Sequence, residues 1–233
     1  MDETSNNNEL FREGLLSSLL SYQTCKSDYV SPDTTETQTL APLHMRLQKK
    51  VDAIPTTMQQ KGLSLLEIQV RMKGRGYSLC GRETVGAFKK LNFKHQISAV
   101  KQDLMGQFWT PEARVIANSF GAYLFLHAQL ELKPFPGRVL LLSPIVSGTS
   151  HSETGMRFYP PRADVLRQAA NEGNFPTPEN AVVYVGENDW QAGPRALNDF
   201  CETVGIEVHL VPDRGHILGA DYVSNILDDW IHE

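Results

Sequence analysis

Cysteine is scarce. Only Cys25, Cys80 and Cys201 occur among 233 residues, far apart and without metal-type spacing. Such a set argues against a disulfide framework and a structural zinc site, and a reducing compartment is expected. Cys80 and Cys201 read as small buried hydrophobes. No apolar run approaches the ~20 residues that a membrane-spanning helix needs. The opening Met1-Asp-Glu-Thr-Ser-Asn-Asn-Asn has neither the positive start nor the apolar core of a secretory signal, so cytoplasm is the expected location. Basic residues are in deficit, with 22 Lys and Arg against 27 Asp and Glu and a net charge of −5. Phosphate binding needs a basic face, so nucleic acid is not expected as the main partner. Lys73-Gly-Arg-Gly-Tyr77 lacks the third, helix-opening glycine of a dinucleotide loop, and no cofactor or metal is expected.

What is present fits a soluble globular protein: 41% hydrophobic and 21% charged residues, in a chain long enough for one large core. Residues 1–38 read as a polar N-terminal segment. Within it, Leu10, Phe11, Leu15, Leu16, Leu19 and Leu20 give an amphipathic helix over Glu9–Tyr22, weakened by Gly14, and 23–38 read as a linker. Residues 39–233 read as the folded domain. A short strand is expected over Thr39–His44, a helix over Met45–Lys61 broken near Pro55, a strand over Leu63–Met72 and a glycine-rich turn over Lys73–Ser78. Helical spacing follows over Gln96–Phe108.

Arg138–Pro144, Ala181–Gly186 and Ile206–Pro212 are apolar strands; continuous runs of this kind are buried on both faces, as in a parallel sheet. Helices are expected near Ala163–Asn171, over Pro194–Val204 with proline in the first turn, and over Tyr222–Ile231. Strands alternating with helices predict an α/β fold with a mostly parallel central sheet and helices on both faces.

The centre of this pattern is Arg114–His127. An apolar strand end, Val115-Ile116-Ala117, runs through Asn118-Ser119-Phe120-Gly121 into helix-spaced apolar residues. A strand turning sharply into a helix through a serine between small residues is a nucleophile elbow. It presents the serine at a helix N-terminus, where free backbone N–H groups can hold an oxyanion. The bland reading of the pentapeptide is a serine that caps the helix with its own side chain.

Two further residues sit where a serine nucleophile needs them. Asp189 follows the Ala181–Gly186 strand and His216 follows the Ile206–Pro212 strand, so three loops at one sheet edge carry Ser119, Asp189 and His216. A serine hydroxyl needs an adjacent base, histidine can take and return its proton, and a carboxylate fixes the imidazole tautomer. Glu187 is the nearest substitute acid. Asp199 and Asp213 read as solvated, His127 as packed or surface, and His151 as a loop residue. Phe158 and Tyr159 beside Pro160-Pro161 are either a lid wall or a local hydrophobic staple.

On these residues the chain resembles an α/β-hydrolase, from about residue 39 to the C-terminus. The serine, acid and histidine stand in that family's order. Gly186-Glu-Asn-Asp189 resembles its acid turn and Gly215-His216 the dipeptide that carries the base. Arg71-Met-Lys-Gly-Arg-Gly-Tyr-Ser78 resembles its Asp-Leu-Arg-Gly-His-Gly-x-Ser turn, and Leu43-His44 the end of its early His-Gly strand. The resemblance implies a cofactor-independent serine hydrolase acting on a small-molecule ester or thioester. Ser119, His216 and Asp189 would form the triad and the backbone N–H groups of Phe120 and Met45 the oxyanion hole. Met45 stands where the family has glycine, and Arg71 where it has aspartate. These departures motivate the alternative of a non-catalytic α/β-hydrolase-like binding protein. The interval between the Ser143 and Ala181 strands leaves room for a small lid.

Overall fold

The structure is a computed structural model and describes residues 20–26, 77–83 and 86–232. A six-stranded sheet organises them. Its strands in chain order are β1 (Leu20–Lys26), β2 (Tyr77–Glu83), β3 (Arg114–Asn118), β4 (Arg138–Leu142), β7 (Asn180–Gly186) and β8 (Glu207–Val211). A separate pair, β5 (Thr149–Ser150) and β6 (Arg157–Phe158), forms a small antiparallel hairpin. The spatial order is β2-β1-β3-β4-β7-β8. From β3 to β8 every ladder is parallel, whereas β1 runs antiparallel to both β2 and β3.

Helices fill the crossovers: α1 (Gly86–Lys90), α2 (Phe93–Gln107), α3 (Phe120–Gln129), α4 (Val165–Asn171), α5 (Pro194–Val204) and α6 (Ala220–His232). The apolar strands alternate between two cores. Val115, Ala117, Val139, Leu141, Val183 and Val185 pack with α2, α3, α4 and α5 on one face. Ile116, Leu140, Leu142 and Val211 pack with Val223, Ile226, Leu227 and Trp230 of α6 on the other. Both faces are covered, which is why these strands read as unbroken apolar runs rather than as alternating ones. The expected α/β class, with a mostly parallel sheet and helices on both sides, is the observed one.

The first strand runs against expectation. Leu20–Tyr22 falls in the expected helix and 23–26 in the expected linker, yet Leu20–Lys26 is a strand that joins β2 to β3. Leu20-Ser21-Tyr22-Gln23 alternates apolar and polar, and Tyr22 and Thr24 favour extended backbone. Pairing with β2 along the whole strand and with β3 over Ser21–Thr24 is a non-local gain that overrides a short helical periodicity. The expected elements between residues 39 and 72 and the turn at 73–76 lie outside the described residues; Tyr77 and Ser78 open β2.

Candidate active site

Ser119 leaves β3 with φ 52° and ψ −119° and is followed at once by α3. A non-glycine residue with positive φ at the junction of strand and helix is strained backbone of the kind found at functional sites. The strain is held by packing. Ala117 before the turn and Gly121 after it are both buried, and the Ser119 N–H donates to Leu142 O of the neighbouring strand at 2.8 Å. The Ser119 side chain makes no capping bond to its helix, so the capping interpretation fails. Its Oγ lies 2.7 Å from His216 Nε2 instead.

His216 follows β8 through a turn in which Asp213 is also left-handed, with φ 58°. Its Nδ1 lies 2.9 Å from both oxygens of Asp189. Asp189 is fully buried. Its Oδ1 also accepts the backbone N–H groups of Gln191 at 3.1 Å and Ala192 at 3.0 Å. Buried carboxylates are retained only when hydrogen-bonded, and this one has three donors. A carboxylate can only accept, so the proton on His216 belongs on Nδ1. That leaves Nε2 as the acceptor for the Ser119 hydroxyl.

The three residues therefore meet at the carboxyl edge of the sheet, from the ends of β3, β7 and β8. Among the described residues, three of the four non-glycine positive-φ positions, Ser119, Ser143 and Asp213, sit at this edge. The strain is concentrated where the loops converge. Phe120 opens α3, and first-turn N–H groups have no partner within their own helix, so its amide is available beside Ser119. Met45, the expected second oxyanion donor, lies outside the described residues.

The remaining candidates separate clearly. Glu187, Asp199 and Asp213 are exposed. His151 Nδ1 accepts from the Glu153 and Thr154 N–H groups, and its ring packs edge-on against Trp190 5.3 Å away, so it braces a turn. Phe158 is buried in the core while Tyr159 is exposed across Gly148, so they do not form one wall. His127 is buried on α3 between the edges of Phe93 and Tyr123, and neither ring nitrogen has a hydrogen-bond partner among the described residues. Burial, helped by the nearby Arg162 charge, pushes its pKa down to about 4. Burial likewise pushes the Cys201 thiol up to about 12, which suits an inert core cysteine.

Sequence reasoning did not reach the Gln191 and Ala192 donors, because backbone groups carry no residue signature. It also missed Ser143, whose hydroxyl is buried without a partner among the described residues; its only signal was its place after an apolar strand. No group of His, Cys, Asp and Glu among the described residues could hold a metal ion, and no described helix is long and apolar enough to cross a membrane.

No family model and no curated protein sequence matches the chain. Among solved structures it is similar to the esterase domain of a Rhodothermus marinus protein, at 17% identity and TM-score 0.48, covering 70% of this chain and 77% of that one. It is similar to an α/β serine hydrolase without lid from Xanthomonas campestris, at 19% identity and TM-score 0.44, covering 72% and 74%. An α/β-hydrolase from a metagenome of Mar Chica lagoon sediments, Morocco, stands at 12% identity and TM-score 0.44, covering 68% and 80%. At such values these are things the chain is similar to, and they say nothing of what it acts on.

Proposed function

We propose that this chain is a serine hydrolase of the α/β-hydrolase type that cleaves a carboxylic ester or thioester through an acyl-enzyme. The observation that carries the reading is the unbroken hydrogen-bonded run from Ser119 Oγ through both nitrogens of His216 to the buried Asp189. In this reading the Ser119 oxygen attacks the acyl carbon while His216 Nε2 takes its proton. The imidazolium then gives that proton to the departing alcohol or thiol. A water molecule repeats the two steps and releases the acid. Asp189 holds Nδ1–H in place and stabilises the imidazolium. The Phe120 N–H holds the oxyanion at the positive end of α3, where one such donor is worth ~10²–10³ in rate.

Labelling with a fluorophosphonate probe tests this. The native chain is expected to label. Ser119→Ala and His216→Ala are expected to lose labelling, with turnover of short-chain esters and thioesters down by roughly 10⁶ in each, since members of a triad act as one unit. A folded native chain that does not label would sink the proposal and leave a non-catalytic binding protein as the better reading.

A further inference from the structure

We propose that Gly186 is a positioning residue: its missing side chain lets the Asp189 loop and the His216 loop touch, and that contact sets the Asp189–His216 hydrogen bonds. Its catalytic consequence rests on the hydrolase reading above; the contact itself does not.

Gly186 ends β7, opposite Val211 of β8. It is not among the positive-φ glycines, so its backbone is one that alanine also adopts. Space is the obstacle. A Cβ at Gly186 would stand 2.2 Å from Gly215 O, 2.4 Å from Arg214 O and 2.6 Å from Arg214 C. All three are backbone atoms of the turn that leads directly into His216, and backbone cannot rotate out of the way as a side chain can. The same two loops are tied across this contact. The Glu187 N–H donates to Val211 O at 2.9 Å and the Asn188 N–H to Arg214 O at 2.8 Å. The Asp189 N–H returns to Gly186 O at 3.0 Å. Gly186 is thus the pivot on which Asp189 is hung, pressed against the chain that delivers His216.

The facing glycine has the opposite demand. A Cβ at Gly215 would meet only Asn188 O, at 3.9 Å, which is ordinary contact. A third glycine, Gly137, is as tight as Gly186, with Ala113 O at 2.3 Å, but lies at the amino edge of the sheet, away from the site. Three glycines therefore separate three effects: a clash at the site, a substitution at the site without a clash, and a clash away from the site.

The experiment compares Gly186→Ala, Gly215→Ala and Gly137→Ala in the full chain. Three readouts are taken: the downfield His216 Nδ1–H proton resonance, assigned by its absence in His216→Ala; the fluorophosphonate labelling rate; and the thermal midpoint. To reach ordinary contact the loops must part by about 1 Å, and a displacement of that size at reacting groups costs ~10²-fold in rate. Gly186→Ala is expected to lose or shift the resonance and to label ~10²-fold more slowly. Gly215→Ala is expected to keep both, and Gly137→Ala to lower the thermal midpoint while keeping the resonance.

A native resonance and rate in Gly186→Ala would overturn the proposal, as would equal losses in all three variants. If Gly186→Ala does not fold, amide exchange in the native chain decides. Protection of the Glu187 and Asn188 amides equal to that of the β7–β8 ladder supports the brace, and fast exchange overturns it. A contrast in the resonance without labelling of the native chain would uphold the brace while the hydrolase reading fails. Labelling without the contrast would do the reverse.

Discussion

One histidine faces the turn that leads into α3 and another lies on α3 itself, and their surroundings could hardly differ more. His216 approaches from the β8 loop and has both ring nitrogens engaged, one by the Ser119 hydroxyl and one by the buried Asp189. His127 lies about two turns along α3 itself, closed in by the ring edges of Phe93 at 5.0 Å and Tyr123 at 4.4 Å, with neither nitrogen engaged among the described residues. Desolvation disfavours the charged form, so His127 is a neutral core ring. A strongly depressed pKa taken alone would nominate His127 as functional. Geometry nominates His216, because a base needs a proton to take and a group that steadies it afterwards. The same side chain is bonded at both nitrogens in one place and, among the described residues, at neither in the other, and its surroundings decide which.

The sharpest way to break this contrast is to give His216 the wrong partner. In Asp189→Asn the amide can donate where the carboxylate only accepted, which favours the wrong imidazole tautomer. Ester turnover is expected to fall by about 10⁴, with the fold retained, as read by circular dichroism and the fluorophosphonate rate. A loss below tenfold would mean that Asp189 does not steer His216.

The second test acts on His127. Its folded pKa is about 4, against ~6.5 for an unfolded histidine. Between those values the unfolded chain binds the extra proton, so stability rises with pH through this window. The contribution is full above ~6.5, falls as pH drops toward 4, and amounts to about 3 kcal/mol by linkage. His127→Leu is expected to remove that part of the slope in denaturant melts at pH 4 to 7, leaving fluorophosphonate labelling at pH 7 unchanged. Parallel stability curves for the native chain and the variant would show that His127 is not the isolated neutral ring described, and the contrast would collapse.

The smallest expected effect refines the same neighbourhood. Tyr123 is fully buried beside His127, and its hydroxyl donates to Pro161 O at 2.7 Å. Burial raises its pKa, so it remains a neutral donor. Tyr123→Phe is expected to cost about 1 kcal/mol, the net worth of one such bond, read as a lower denaturation midpoint at unchanged slope. No loss would mean that the bond to the segment after β6 adds nothing to the Ser119 helix.

Much of the architecture was legible because its signals are local. β4 and β7 announce themselves as apolar runs, and α5 was legible because Pro194 sits in its first turn. Ser119, Asp189 and His216 stand out because each reactive type lies within a few residues of the end of a strand of one sheet. The strand at Leu20–Lys26 was not legible: its pairing partners lie between fifty and a hundred residues away, while the competing helical periodicity is within the segment itself. Which of the two readings of His127 holds, packed or surface, was not legible either, since its burial is set by Phe93 and other residues outside its own helix.

Sequence alone determined which residue types reach the carboxyl edge of the sheet and in what order, because strand ends follow from local hydrophobic pattern. It determined too that small residues must flank the serine turn. Tertiary structure alone decided which nitrogen of His216 faces which partner. It also decided that Gly186 tolerates no Cβ while Gly215 does, and that His127 meets no hydrogen-bond partner among the described residues. Those outcomes depend on distances between loops that are remote in the chain, which no periodicity within one segment encodes.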